Sequence, residues 1–149
     1  MTMKIAFVLP GGGRSGGVRC TVTAANGLID RGHRVRIMYQ RERLGSEAWL
    51  RSRWIGLRYP GGGASWLASF RGTASSFRDI RQCRFEIEEL VIGAGLWSCH
   101  ALNRVDKPGV RKVHYLHGEI PWNRSYVKAA WSEKVPKIAV SSHLDVLVR

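Results

Sequence analysis

A glycine-rich loop near the amino terminus is the strongest candidate for chemistry in this sequence. Residues 11–17 read GGGRSGG and lie between an apolar run and a helix-like pattern. A strand, a glycine turn and a helix N-terminus together present free backbone N–H groups and a partial positive charge, which suit a phosphate. We therefore predict phosphate binding at this loop, with Gly13 among its contacts. The alternative is a turn that needs glycine only for its backbone angles.

The same loop also matches part of a dinucleotide-binding fingerprint. Glycines at 11, 13 and 16 have the required spacing, but Tyr39 and Gln40 stand where an acidic ribose partner is expected. A second partial match, residues 91–95, has Ser98 at the third glycine position, and a tight strand-to-helix turn explains it better. A nicotinamide- or flavin-binding oxidoreductase domain therefore stays as an alternative function.

The histidines do not predict a metal site. His114 and His117 are three residues apart in a predicted strand, so they point to opposite faces and cannot bind one metal together. We expect neither a metal ion nor a bound cofactor. His117 ends its strand just before Gly118, at the edge where doubly wound sheets bind ligands. A surface histidine in a loop is the alternative.

The pattern of elements that must position these residues is that of an α/β protein. Residues 4–9 predict a buried strand, residues 17–31 a helix that Gly32 ends, and residues 33–39 a second strand. Farther along, strands are predicted at 90–92, 113–116 and 137–140, with helices at 96–103, from Asn123 and from Ser142. We expect a Rossmann-like, doubly wound parallel sheet with helices on both faces. The chain ends inside its last predicted helix and resembles a truncated domain.

Length and composition set the remaining limits. The 149 residues fit one domain, and the net charge of +13 indicates an anionic partner. No apolar stretch approaches the ~20 residues that a membrane-spanning helix needs, and no signal peptide is recognisable. Three widely spaced cysteines, Cys20, Cys83 and Cys99, are typical of reduced thiols and favour a cytoplasmic location.

A basic segment, residues 40–85, interrupts the regular alternation of strands and helices. It is rich in arginine and tryptophan, and we predict one or two short helices around a mobile glycine loop. An anionic membrane surface or a lipid-linked acceptor fits this composition best, a solvated charged face comes next, and nucleic acid is the least favoured partner. The residues predicted to form that face are Arg51, Arg53, Trp54 and Arg58.

Three stretches together resemble the N-terminal domain of family 4 glycosyltransferases of the GT-B fold. These stretches are residues 3–33, residues 113–118 and residues 137–142, in the same order and spacing as in that domain. They cover nearly the whole chain apart from the basic segment. The 149 residues would then be most of one N-terminal domain, without the second domain that binds the donor.

The resemblance implies metal-free transfer of a sugar from a nucleotide-sugar to an anionic or lipid-linked acceptor, as in cell-envelope polysaccharide synthesis on the inner membrane face. It places Gly16 and Gly17 near the donor phosphate and His117, followed by Gly118, near the transferred sugar. Arg14, beside the loop, is a further anion contact. Without the second domain we expect the chain alone to be inactive. A non-enzymatic membrane-binding module is another alternative.

Overall fold

A parallel β-sheet forms the centre of the computed structural model, which describes residues 2–13, 15–41, 66–86, 89–105, 107–117 and 134–140. Within these ranges the strands and helices are β1 (Lys4–Leu9), α1 (Gly16–Asp30), β2 (Arg34–Gln40), β3 (Thr73–Phe77), β4 (Glu89–Ala94), α2 (Leu96–Asn103), β5 (Arg111–Leu116) and β6 (Lys137–Ala139). Two short 3-10 helices, Trp66–Ser69 and Ile80–Gln82, flank β3.

The strands lie in the order β3-β2-β1-β4-β5-β6, and every neighbouring pair is parallel. This is the strand order of a doubly wound, Rossmann-like sheet. The chain moves outward from β1 in one direction to β2 and β3, and in the other direction to β4, β5 and β6. The point at which the direction changes lies between β1 and β4, and ligands bind there in sheets of this kind.

The two faces of the sheet are covered by different helices. On one face, Phe7 of β1 packs in a buried cluster with Val18 and Val22 of α1. On the other face, Val8 of β1 packs in a separate cluster with Leu102 of α2. Strand β1 is therefore buried on both sides, which explains its continuous apolar sequence. The prediction of a doubly wound α/β sheet with helices on both faces is confirmed.

Helix α1 begins and ends where the sequence predicts, to within one residue. Ser15 caps its N-terminus, since its Oγ accepts a hydrogen bond from the Val18 N–H at 3.2 Å. At the other end Gly32 has a φ of 84° and donates to the Ile29 carbonyl at 2.9 Å. A positive φ of this size favours glycine, so the predicted left-handed cap is confirmed.

The basic segment is only partly described, and its described part contains an element that the sequence prediction missed. Residues 73–77 form β3, which pairs with β2 from Arg36↔Thr73 to Gln40↔Phe77. Four of its five residues are exposed, so the strand lacks the apolar pattern by which strands are recognised. Short helical turns do occur on either side of it. Arg51, Arg53, Trp54 and Arg58 lie outside the described residues, as do the helices predicted from Asn123 and Ser142.

A partly buried ion pair connects β2 to β4 across β1. Arg36 donates from Nε and from one Nη to the two carboxylate oxygens of Glu89, both at 2.6 Å. The Glu89 side chain is buried, and a third hydrogen bond from Arg36 goes to the Arg84 carbonyl. Two parallel charged hydrogen bonds fix the relative position of the groups that make them. This pair therefore helps to hold the register near the amino ends of the strands.

His114 of β5 is fully buried, and its environment opposes protonation. Its Nε2 lies 3.1 Å from Asn103 Oδ1, while Nδ1 finds no partner among the described residues. Burial, with the nearby charges of Lys137 and Lys112, lowers the pKa of His114 from 6.5 to about 4. The folded protein therefore holds this ring neutral well below the pH at which the unfolded chain binds a proton.

We expect His114 to make stability depend on pH. Its contribution is complete above pH 6.5 and decreases as the pH falls toward 4, because only the unfolded state then binds the proton. Between pH 7 and pH 5 the loss is about 2 kcal/mol from this residue. The variant His114→Gln keeps a donor for Asn103 and does not titrate, so its urea-unfolding free energy should vary less over this interval. Parallel pH profiles for the variant and the wild type would contradict the assignment.

Candidate phosphate-binding site

A crevice of about 420 Å³ opens at the carboxyl edge of the sheet, where β1 and β4 lie side by side. It lies at the switch point of the strand order, and three connections form its walls. These walls consist of Leu9 and Pro10 after β1, Ser15, Gly17 and Val18 at the start of α1, residues 94–97 between β4 and α2, and His117 after β5. The topology alone thus brings the glycine loop and His117 to one place.

The N-terminus of α1 forms one side of this crevice and leaves two backbone donors without an acceptor. The N–H groups of Val18 and Arg19 bond to the side chain and the carbonyl of Ser15. Those of Gly16 and Gly17 have no acceptor among the described residues. The first N–H groups of a helix carry the positive end of its dipole. This edge of the crevice therefore favours an anion.

Gly13 and Gly16 are not required by the backbone of the described structure, whereas a Cβ on Gly12 would lie 3.0 Å from Leu67 and 3.1 Å from the Tyr39 ring. Among the described residues, φ is positive at Gly32, Gly95 and Gly109 and at no glycine of residues 11–17. A Cβ built on Gly13 or on Gly16 would meet no atom within 4 Å. The explanation by backbone angles alone is therefore wrong for these two positions, and the space beside them is open to a ligand.

The second glycine motif has a purely structural explanation. A Cβ on Gly93 would lie 2.9 Å from Leu102 and 3.1 Å from the Cys99 backbone nitrogen, so glycine lets α2 approach β4 closely. Gly95 has a φ of 87° at the start of α2, a conformation that favours glycine. The tight strand-to-helix turn predicted for residues 91–95 is what the structure contains.

His117 is half-buried at the end of β5, and its ring is held from two sides. The hydroxyl of Thr21 donates to the Gly17 carbonyl at 2.9 Å, so its oxygen is free to accept from His117 Nε2 at 3.4 Å. The ring also meets Tyr115 edge to face, with 4.2 Å between the centroids. This arrangement favours the neutral tautomer with the proton on Nε2, and Nδ1 is then an acceptor.

Burial lowers the pKa of His117 below its ordinary value of 6.5, so the ring is neutral at pH 7. The crevice therefore combines the positive end of a helix with a neutral imidazole whose Nδ1 can accept a hydrogen bond or a proton. A phosphate suits the first group, and a hydroxyl or a protonated oxygen of the same ligand suits the second.

The structure brings together some of the predicted site residues but not all of them. Gly17 and His117 line the crevice, Gly16 precedes Gly17 as the first residue of α1, and Gly13 lies in the loop that leads to α1. Arg14 and Gly118 fall outside the described residues. Sequence reasoning missed Thr21, which is one helical turn after Gly17, and Trp97, which lies just after the β4 turn. The available signal was their position beside predicted ligand-binding loops.

Two kinds of feature are absent from the described residues. In the described part of the chain no cluster of three or more histidine, cysteine, aspartate or glutamate side chains has the geometry to hold a metal ion. Among the helices of the described ranges, none has the length and apolar character needed to cross a bilayer.

Comparisons with known proteins give one structural likeness. No model of a protein family matches the chain, and no curated protein matches it. A solved structure that is similar over 98% of this chain and 99% of its own is the crystal structure of D,D-heptose 1,7-bisphosphate phosphatase from Burkholderia thailandensis, at 18% identity and a TM-score of 0.46. At those values the phosphatase's activity is not transferred to this chain.

These findings overturn the assignment to family 4 glycosyltransferases, which is wrong. No family model supports it, and the solved structure found is a phosphatase rather than a GT-B enzyme. The predictions that depended on this assignment are wrong as well. They are sugar transfer as the function, a nucleotide-sugar and a lipid-linked acceptor as partners, and a role in polysaccharide synthesis at a membrane. Neither the oxidoreductase alternative nor the membrane-binding alternative gains support. The three resembling stretches are explained by the βαβ architecture, which unrelated functions share.

We expect Thr21 to fix the tautomer of His117. In the variant Thr21→Val the acceptor for Nε2 is lost, so the ¹⁵N chemical shifts of the ring should move from the Nε2–H form toward a mixture. Stability should fall by about 1 kcal/mol, since a buried hydrogen bond is removed. Thr23→Val is the matched control, because Thr23 is exposed on the same helix. A wild-type ring protonated on Nδ1 would contradict the arrangement.

Proposed function

We propose that this chain binds a small phosphorylated molecule, with its phosphate at the N-terminus of α1. The observation that carries the proposal is the open space beside Gly13 and Gly16, next to the N–H groups of Gly16 and Gly17, for which the described part of the chain provides no acceptor. Such a helix end binds phosphate through direct hydrogen bonds and through its dipole. The helix supplies the positive charge itself, so we propose binding without a metal ion or cofactor.

The rest of the crevice fits the organic part of such a ligand. Its walls include the apolar side chains of Leu9, Val18, Leu96 and Trp97. Its volume of about 420 Å³ lies within the ~300–1,000 Å³ typical of small-molecule sites. An apolar wall next to a few fixed polar groups is the usual composition of a ligand pocket. A phosphate ester with a compact carbon skeleton is the ligand class that this combination favours.

His117 is the side chain that we propose to contact the ligand beyond its phosphate. The neutral ring offers Nδ1 as an acceptor for a ligand hydroxyl, and Thr21 holds the ring in place through Nε2. Arg14 and Gly118 adjoin Gly13 and His117 in the sequence, and we propose them as flanking contacts. Any proton transfer in this crevice would use His117 as the base.

A reducing, cytoplasmic location is part of the proposal. Cys20, Cys83 and Cys99 are all free thiols in the structure. Burial raises the pKa of Cys99 to about 12 and that of Cys83 to about 11. These two thiols are therefore unreactive at neutral pH, whereas Cys20 is exposed.

The variant Gly16→Asp separates ligand binding from folding. Position 16 is exposed and has open space, and a carboxylate in the first turn of a helix stabilises it by about 0.3–1 kcal/mol. The same charge repels a phosphate, so affinity should fall at least about ten-fold while thermal stability is kept or increased. Calorimetric titration with inorganic phosphate and with sugar, glycerol and phenyl phosphates measures the first quantity, and a thermal melt measures the second.

Arg111→Gln is the matched control, because it lowers the net charge by the same single unit. Arg111 is exposed at the start of β5, at the opposite edge of the sheet. Its phosphate affinity should stay within about two-fold of the wild type, as expected for a remote charge screened by salt. Equal losses in both variants would mean that net charge alone attracts phosphate. The absence of binding by the wild type to every phosphate tested would refute the proposed function.

A further inference from the structure

A second, more polar groove lies on the same edge of the sheet, on the β3 side of the crevice. It has a volume of about 630 Å³. Its lining comes from the end of β2, from the turn after β3 and from the outer surface of α2. The charged and titratable side chains that face it are Arg78, Asp79, Arg81, His100 and Arg104.

The arginines of this groove exceed its acidic groups. Arg81 pairs with Asp79 at 2.7 Å, and this pairing lowers the pKa of Asp79 to about 2, so the carboxylate is ionised. Arg78 has no hydrogen bond or ion pair with its side chain among the described residues. Arg104 contacts the ring of His100 at 3.2 Å rather than a carboxylate. Neither Arg78 nor Arg104 therefore forms an ion pair within the described structure, although the charge of Arg104 acts on Asp79 at longer range.

Trp97 connects the groove to the phosphate-binding crevice, because it lines both. Its ring stacks on Phe77 at a centroid distance of 6.4 Å and an interplanar angle of 19°. Phe77 ends β3 and immediately precedes Arg78, so the same strand end positions the indole and the arginine. The groove and the crevice are thus two compartments on either side of one anchored aromatic side chain.

We propose that the groove is a second anion subsite, in which Arg78 and Arg104 bind a second phosphoryl group of the ligand whose first phosphate lies at α1. This inference rests on the proposed function and narrows it to ligands with two phosphoryl groups. Arginine is suited to the task, because its planar guanidinium donates two parallel hydrogen bonds to a phosphate and stays charged at every physiological pH. The carbon skeleton of the ligand would pass along Trp97.

The test compares ligands that share a skeleton but differ in the number of phosphates. Fructose 6-phosphate and fructose 1,6-bisphosphate form one such pair, and glycerol phosphate and glycerol bisphosphate form a shorter one. In at least one of these two pairs, the wild type should bind the bisphosphate at least about ten-fold more tightly than the monophosphate. This difference in affinity corresponds to one charged contact. In the double variant Arg78→Gln, Arg104→Gln this preference should fall to within about two-fold, with monophosphate affinity unchanged.

The variants are chosen so that folding does not confuse the result. Arg78 and Arg104 are exposed, and surface substitutions of this kind change stability by about 0.5 kcal/mol or less. Arg81 is kept, because it neutralises Asp79. The double variant Arg34→Gln, Arg111→Gln removes two exposed charges at the opposite edge of the sheet and is the control for net charge. Gly16→Asp should weaken the binding of monophosphates and bisphosphates alike.

The outcomes distinguish this inference from the proposed function. Equal affinity for monophosphates and bisphosphates would overturn the second subsite while leaving the first in place. A preference for bisphosphates that survives in the double variant would likewise overturn it. Phosphoglycolate carries a carboxylate as its second anionic group. If it binds more tightly than both bisphosphates, the groove binds a carboxylate, and the assignment to a second phosphoryl group is overturned. If neither class binds, the proposed function fails together with this inference.

Discussion

The architecture of this protein depends on the position of β1 between two parallel neighbours. Its backbone pairs with β2 on one side and with β4 on the other, and its side chains are buried on both faces. A parallel neighbour is reached only by a crossover over one face of the sheet. The chain leaves the carboxyl end of β1 toward α1 on one face and the carboxyl end of β4 toward α2 on the other face. The crevice opens between these two connections.

The arginines at the two edges of the sheet have different surroundings. Near the amino ends, Arg36 is neutralised by the buried carboxylate of Glu89 and serves the structure. At the carboxyl edge, Arg78 and Arg104 form no ion pair with a carboxylate of the described residues, although Arg104 interacts with Asp79 at longer range. The same residue type therefore stabilises the fold at one edge and leaves the other edge positively charged, next to the N-terminus of α1. Part of the excess of basic residues in the sequence is thus a local positive charge at the carboxyl edge of the sheet.

The failure of the glycosyltransferase assignment has a physical reason. The stretches behind it consist of a buried strand, a glycine turn and a helix start, or of a strand that ends in histidine or serine. Every doubly wound sheet needs such pieces at such spacings, so the pattern indicates the fold and not the reaction. The proposal of phosphate binding rests instead on features of the site itself. These features are the N–H groups of Gly16 and Gly17, which have no acceptor among the described residues, and the neutral ring of His117.

The sequence by itself determined the parallel sheet, α1 with its cap at Gly32, and the glycine loop as a candidate site, because apolar periodicity and glycine spacing are local signals. It did not determine β3, whose exposed residues become a strand only by pairing with the edge of β2. Only the tertiary structure placed Thr21 against His117 and Arg78 in one groove with Arg104. Both arrangements bring together residues far apart in the chain, and the packing of the helices against the sheet decides them.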